Sequence, residues 1–228
     1  MTLFFATLLT GCLSPTQSIL STQITDEAGN AIPNATVEVR DEFAEVYSAA
    51  EADGEGIVSL ELPPLQTFFA VVSADAYSAA SFTGFSGEGE FSMASGTLWL
   101  RTPDDISNQI VDFSDCSPST EGLVDGQVRM AIPGQENDAM PIVTTATVYL
   151  IDKDDNFTPA CYVPDANSST ETAQTGETGY YAFFDVPKGL YILRTEVSID
   201  GVETHQMDYV IYMPENGTVP LYPTLIPL

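Results

Sequence analysis

The chain has 228 residues, of which 44% are hydrophobic, so it is long enough to bury one large core or two small ones. Its 33 acidic residues outnumber its 6 basic residues and give a formal net charge of -27. Such a surface repels phosphate backbones and anionic lipid headgroups, so we expect no nucleic acid among the partners of this protein. The acidic residues are interspersed with Val, Ile, Tyr and Phe in alternating runs, which favours a folded chain with an acidic surface over a disordered one.

The first sixteen residues, MTLFFATLLTGCLSPT, begin with an apolar run that gives way to small residues just before Cys12. The run is too short to cross a bilayer as a helix, which takes about 20 apolar residues, but it suits a secretory signal. LTGC, ending at Cys12, resembles the lipobox of bacterial lipoproteins, although MTLFF lacks the Lys or Arg that usually opens such a signal. The alternative interpretation is a buried strand that ends in a cysteine.

The lipobox resemblance implies a lipid-anchored protein of the bacterial cell envelope. Residues 1–11 would be the signal peptide, Cys12 the lipidated N-terminus of the mature chain, and residues 12–17 a short tether. Two or more acyl chains anchor a protein stably, at about 0.8 kcal/mol per buried CH₂. Leu13, rather than Asp, follows the cysteine, which by the same resemblance implies sorting to the outer membrane or the cell surface. The membrane is therefore the first expected partner.

Two further cysteines, Cys116 and Cys161, remain once Cys12 is assigned to the lipid. An even pair in an oxidising compartment favours a disulfide, which would stabilise the fold by about 4 kcal/mol for a loop of this length. A pair of free thiols is the alternative. A metal site is poorly supported because His205 is the only histidine, and we expect no cofactor.

Strands and turns account for the next stretch of the chain. ATVEV from Ala35 and GIVSLEL from Gly56 alternate apolar and polar residues, whereas FFAVVSA from Phe68 is a continuous run typical of a central strand. Gly and Pro interrupt these runs at short intervals, and no window has the 3.6-residue apolar stripe of an amphipathic helix. The sequence therefore predicts an all-β fold.

The second half of the chain repeats the first. ATVEV at Ala35 is matched by ATVYL at Ala146, and ADGEGIVSLELP is matched by TGETGYYAFFDVP. SGTLWLRTP is matched in turn by NGTVPLYPT, so three segments recur in the same order and predict two copies of one domain. In each copy a glycine, Gly54 or Gly176, lies between strand-like runs, where it permits the positive φ of a tight turn.

These segments carry a second resemblance. DxxGxxxxxATVxV followed by DGxGxxxxxLP, and TGYYAFFDVPKGLY in the second half, resemble the carboxypeptidase regulatory-like domain. The resemblance implies two tandem transthyretin-like β-sandwich domains of Greek-key type, at residues 18–102 and 121–228, with a linker at 103–120. The first copy departs from the pattern, since PPLQT from Pro63 stands where the family has PxGxY.

Catalytic and metal-binding patterns are weak in this sequence. A Ser–His–Asp triad would need His205, and no Gly-x-Ser-x-Gly elbow is present. The related intradiol dioxygenases hold iron with two histidines, which this chain cannot supply. DKDDN from Asp152 has the alternating oxygens of a calcium loop, but it lacks Gly at the sixth position and Glu at the twelfth. We interpret it as a solvated turn.

A platform for sugars is the remaining possibility, carried by four aromatic residues in YYAFF. Alternate residues of a strand face opposite sides, so either Tyr181 and Phe183 or Tyr180 and Phe184 must face the core. We therefore expect a non-enzymatic, lipid-anchored surface protein with a structural or adhesive role toward a protein or polysaccharide partner. The alternative is a carbohydrate- or calcium-binding accessory module of a surface uptake or degradation complex.

Overall fold

The computed structural model describes residues 18–87, 90–91, 97–116, 118–132, 135, 139–163, 174–199 and 203–227. Cys12, the expected signal peptide and the tether lie outside these residues. Most of the described chain is β-strand, arranged in sheets that pack as sandwiches, so the prediction of an all-β sandwich fold is confirmed. Within the described chain, no helix is long and apolar enough to cross a membrane.

In the described part of the first half there are eight strands: β1 (Ser18–Asp26), β2 (Thr36–Arg40), β3 (Val46–Glu51), β4 (Ile57–Leu62), β5 (Thr67–Ser73), β6 (Ala80–Phe85), β7 (Glu90–Phe91) and β8 (Thr97–Leu100). β1 lies in the middle of one sheet, antiparallel to β4 and parallel to β7 and β8. The facing strands run in the order β6-β5-β2-β3, each antiparallel to its neighbour. Alternate residues of both layers, such as Leu20, Val37 and Phe68, are fully buried in one hydrophobic core.

Among the described residues of the second half there are eight more strands: β9 (Leu123–Ala131), β10 (Ala146–Ile151), β11 (Phe157–Pro159), β12 (Cys161–Tyr162), β13 (Tyr180–Phe183), β14 (Gly189–Ile199), β15 (Glu203–Met213) and β16 (Thr218–Pro227). One layer has the order β11-β10-β14-β15 and is antiparallel throughout. The other has the order β12-β13-β9-β16, in which β9 and β16 are parallel. A second hydrophobic core between them contains Val128, Val148, Tyr181 and Leu193.

The two halves share one continuous sheet. β16 pairs with β6 in parallel through Thr218 and Ala80, which gives the eight-stranded order β12-β13-β9-β16-β6-β5-β2-β3. The amide of Thr218 donates to the carbonyl oxygen of Ala79 at 2.7 Å. β15 lies against β6 as well, where Thr83 Oγ1 donates to the carbonyl oxygen of Val210 at 3.0 Å.

Residues 103–116 form an α-helix, α1 (Pro103–Gln109), followed by a 3₁₀ helix (Ile110–Cys116), which we call together the strap. The strap covers the outer face of β9 and β13, where Ile106, Ile110 and Phe113 form a third hydrophobic cluster with Leu123 and Ala182. Thr102 caps α1 with a capping box to Asp105, and Pro103 occupies the first turn. Seven residues are too few to display a 3.6-residue stripe, so the periodicity of the sequence did not predict this helix.

The tight turn before β4 depends on Gly56 and not on Gly54, the glycine that the sequence pattern predicts there. Gly56 has a φ of 75°, and a Cβ atom there would lie 2.8 Å from the carbonyl oxygen of Ile24. The turn is fixed by Asp53, whose Oδ1 accepts from the amides of Glu55 and Ile57 at 2.9 Å. In the second half, Gly176 has the expected positive φ of 58°.

Candidate functional site

A buried ion pair joins the two halves of the molecule. Arg101, directly after β8, places Nη1 2.7 Å from Asp125 Oδ2 and Nη2 2.7 Å from Asp125 Oδ1. The two side chains are only 1% and 2% exposed, so this bidentate contact is shielded from water. Since Arg101 belongs to the first half and Asp125 to β9 of the second, neither half can bury its charge without the other.

Two further side chains complete the cluster, which we call the junction. Gln109 of α1 accepts from Arg101 Nη1 at 2.5 Å and donates through Nε2 to the hydroxyl of Tyr222 at 2.8 Å. The Tyr222 hydroxyl donates in turn to Asp125 Oδ2 at 2.5 Å. Four segments that are distant in sequence therefore meet in one ring of hydrogen bonds.

The protonation states in the junction follow from burial and from the charge of Asp125. Burial, the negative charge and its hydrogen bond raise the pKa of Tyr222 well above its usual range, so the phenol stays neutral. Burial lowers the pKa of Arg101, but the charge of Asp125 and its hydrogen bonds raise it by more, so the guanidinium stays charged. Both oxygens of Asp125 accept hydrogen bonds from fixed donors, an arrangement that suits a structural lock rather than proton transfer.

Aromatic rings line the junction. Trp99 lies 6.2 Å from Phe82 and 6.4 Å from Tyr222 between ring centroids, and Tyr222 lies 6.0 Å from Tyr180. The guanidinium of Arg101 is 5.5 Å from the centre of the Trp99 ring. Trp99 also lines an open cavity of about 520 Å³ together with the carboxylates of Asp26 and Glu27. The Trp99 ring thus lies near three side chains of its own protein and stays partly exposed at the cavity.

The YYAFF segment resolves the choice left open by the sequence. Tyr181 and Phe183 are buried in the second core, whereas Tyr180 and Phe184 are partly buried on the opposite face beside the strap. Burial raises the pKa of Tyr181 far above its usual range, and its hydroxyl shares a hydrogen bond with Thr224. The side chains that could have formed a sugar platform are therefore covered by the strap and by Tyr222.

Cys116 and Cys161, the pair expected to form a disulfide, are brought together by the strap. Cys116 ends the 3₁₀ helix and Cys161 begins β12; in this structure both are thiols, and their side chains lie close to each other. Burial and the neighbouring thiol raise the pKa of Cys161 to about 12. Both cysteines line a cavity of about 400 Å³ whose other walls are mainly apolar. The disulfide itself stays a prediction.

The Asp152 loop is organised as a turn. Asp152 Oδ1 accepts from the amides of Asp154 and Asn156 at 2.8 and 3.0 Å, and Oδ2 accepts from Asn156 Nδ2 at 2.9 Å. These hydrogen bonds from Asn156 lower the pKa of Asp152. In the part of the chain that the structure describes, no three His, Cys, Asp or Glu side chains are grouped as metal ligands.

The junction was missed by sequence reasoning because its members are far apart along the chain. The available signals were local: an arginine two residues after a tryptophan in a chain with 6 basic residues, and the sequence TPDD, which combines an N-cap, a proline and acidic residues. His205, the histidine considered for catalysis, lies partly exposed on β15 opposite Val197.

No family model matches the chain, and no curated protein matches it. Among solved structures it is similar to the Bacillus anthracis TIE protein, at 14% identity and a TM-score of 0.32, covering 92% of this chain but only 34% of that one. The minor pilin of Streptococcus agalactiae aligns at 11% identity and a TM-score of 0.34, covering 93% and 95%. A catechol 1,2-dioxygenase of Acinetobacter radioresistens aligns at 15% identity and a TM-score of 0.25, covering 32% and 36%. Values this low assign neither a family nor a function.

Proposed function

We propose that this chain is a non-enzymatic, lipid-anchored protein of the bacterial cell envelope, at the outer membrane or the cell surface. Its two hydrophobic cores act as two domains, residues 18–102 and 121–228, which together form a rigid spacer or adhesive scaffold. Residues 1–11 are removed as a signal peptide, Cys12 carries the lipid, and residues 12–17 are the tether. The loops of the domains face a protein or polysaccharide partner.

The observation that carries the proposal is the junction. A module that closes on a ligand needs a hinge, and a catalytic module needs polar groups free to react. Here Arg101 and Asp125 are buried against each other at the boundary between the halves, and β6 and β16 continue one sheet across it. A junction of this kind supports a scaffold that holds its loops at a constant separation.

The accessory-module alternative would rely on the open cavity beside Trp99, which has carboxylates and an aromatic ring in its wall. Arg101, Phe82 and Tyr222 already lie against that ring, so part of it is taken up by the protein itself. For calcium, the Asp152 carboxylate is occupied by its own turn. The scaffold is therefore the function that the geometry supports best.

Mass spectrometry of the native N-terminus tests the lipid anchor. We expect a chain that starts at Cys12 and carries a diacylglyceryl group and an amide-linked acyl group, and that fractionates with membranes because more than one acyl chain is present. A Cys12→Ala variant should be found in the soluble fraction at full length. An unmodified Cys12, or an intact Met1 on the wild-type protein in membranes, would contradict the proposal.

A further inference from the structure

The described chain begins at Ser18, and the contacts of Ser18 define one end of the first sandwich. Ser18 pairs with Leu62 at the end of β4, and its hydroxyl donates to the carbonyl oxygen of Gly87. Ser86 Oγ donates to the carbonyl oxygen of Pro63 and accepts from the amide of Gln66 at 3.0 Å. The start of β1, the turn between β4 and β5, and the end of β6 therefore lie together.

The turn between β2 and β3 belongs to the same end. Arg40, the last residue of β2, pairs with Phe69 near the start of β5 and with Val46 at the start of β3. Asp41 Oδ1 then accepts from the amides of Phe43 and Glu45, both at 3.0 Å, which holds the turn compact. We call this part of the sandwich the Ser18 end.

The Ser18 end exposes several large apolar side chains. Phe43 is 71% exposed, Phe85 58% and Leu65 57%, and Val46 is exposed beside them. Exposed apolar side chains at one end of a sandwich offer that end to contact with another apolar phase. The turn that carries Phe43 also bears the exposed carboxylates of Glu42 and Glu45, next to the Asp41 carboxylate that holds the turn.

Leu65 also has an unusual backbone conformation for a branched side chain. It has a φ of 52°, a left-handed conformation that glycine adopts at no steric cost and leucine does not. An exposed leucine in a strained backbone conformation is the kind of outlier found at contact sites.

The length of the chain before Ser18 indicates which apolar phase the Ser18 end contacts. Ser18 lies six positions after Cys12, and a fully extended chain of that length reaches only about 20 Å. A lipid on Cys12 would keep the Ser18 end closer to the bilayer than any other part of the described chain.

We propose that the Ser18 end lies on the bilayer and that Leu65, Phe85 and Phe43 enter the boundary between headgroups and acyl chains. This inference rests on the lipidation of Cys12 in the proposed function. The lipid surface it fits is a neutral, zwitterionic one, because Glu42 and Glu45 would be repelled by anionic headgroups.

Quenching of tryptophan fluorescence by brominated acyl chains tests the contact. The acylated full chain is reconstituted on phosphatidylcholine vesicles as Leu65→Trp, Phe85→Trp and, as the matched control, Ile57→Trp. Ile57 is 42% exposed on the same sandwich but lies at the far end of β4, opposite Gln23. Trp99 is present in every protein and gives the wild-type background.

We expect the quenching of Leu65→Trp and Phe85→Trp, referenced to vesicles without bromine, to be about twofold or more that of Ile57→Trp, because only residues at the acyl boundary meet bromine. Replacing part of the lipid by phosphatidylglycerol should reduce the difference. Equal quenching of all three variants at the wild-type background, in protein that floats with the vesicles, would overturn the inference.

A second preparation separates this inference from the lipid anchor. Residues 1–12 are replaced by a hexahistidine tag that binds nickel-chelating lipid in the same vesicles, so the chain is tethered whether or not Cys12 is acylated in cells. Absence of the acyl groups by mass spectrometry would defeat the proposed function alone. Quenching that favours Leu65→Trp and Phe85→Trp in the tagged protein would still support the Ser18 end as a bilayer contact, and uniform quenching would reject it.

Discussion

The four arginines of this chain are all engaged in contacts within the protein, and they differ mainly in how far each is buried. Arg40 donates to Glu38 and to the carbonyl oxygen of Ala44, and Arg129 donates to Gln127 and to the carbonyl oxygen of Met140. Arg194 pairs with Asp208 on the exposed face of β14 and β15. Only Arg101 is withdrawn from water together with its partner, so its loss should have a different consequence.

Arg101→Ala should destabilise the fold by about 3–5 kcal/mol, because it leaves the buried charge of Asp125 without a partner. Arg194→Ala is the matched control, since that pair is 25% and 37% exposed, and should cost about 1 kcal/mol or less. Urea denaturation followed by circular dichroism measures both. Equal losses of stability in the two variants would show that the junction does not hold the halves together.

At the scale of elements, the strap turns an expected linker into a structural layer. Its apolar residues cover Leu123 and Ala182 on the outer face of β9 and β13, and Gln109 of α1 enters the junction. The strap therefore connects the polar cluster between the halves with the cysteine pair at its far end. A covalent bond between Cys116 and Cys161 would fasten that end to β12.

In the purified native protein we expect Cys116 and Cys161 to be oxidised, with the electrons passed on by thiol–disulfide exchange in the envelope. Reduction should then cost about 4 kcal/mol and lower the melting temperature by about 10 °C, because a long loop is released in the unfolded chain. Thiol titration of the denatured protein and thermal melts with and without reductant measure this.

The variant Cys116→Ser with Cys161→Ser is the control for the disulfide prediction, and its melting temperature should not respond to reductant. If the untreated wild-type protein instead has both thiols free, and reductant leaves its melting temperature unchanged, the pairing is wrong and the strap is held by its apolar contacts alone.

The whole molecule combines a net charge of -27 with arginines that are already engaged internally. Lys153, which is 85% exposed at its side chain, and the exposed Lys188 offer little to offset the carboxylates on the surface. Repulsion among these carboxylates opposes the compact state. Salt weakens this repulsion, because it shortens the Debye length from about 30 Å at 0.01 M to about 3 Å at 1 M.

The melting temperature should therefore rise by several degrees between low salt and about 1 M NaCl, because screening favours the folded state of a highly charged protein. Differential scanning calorimetry measures the rise, and CaCl₂ at matched ionic strength is the control. A much larger rise with calcium than with sodium would indicate specific binding and favour the accessory-module alternative, whereas no rise at all would contradict the repulsion argument.

Several strands could be predicted closely because their pattern depends on neighbouring residues. ATVEV predicted β2, GIVSLEL predicted β4 and FFAVVSA predicted β5, each within about one residue, since alternation or a continuous apolar run directly reflects which faces are buried. The glycine of the turn before β4 was predicted two positions too early, at Gly54 instead of Gly56. Both glycines suit a turn by their type, and the close approach of Gly56 to Ile24 decides between them. Helix α1 was missed because a helix of seven residues is too short to show a repeating apolar pattern. Such a helix is recognised by its capping residues instead.

The sequence by itself determined the all-β class, the positions of the main strands and the acidic character of the surface, because each of these depends on composition or on residues adjacent along the chain. Only the tertiary structure decided that Arg101 meets Asp125 and Tyr222, that the strap covers β9 and β13, and that Phe43, Leu65 and Phe85 share one end with Ser18. These contacts join residues far apart in sequence. Which residues meet depends on how the sheets pack around the two cores, and this cannot be predicted from patterns of neighbouring residues.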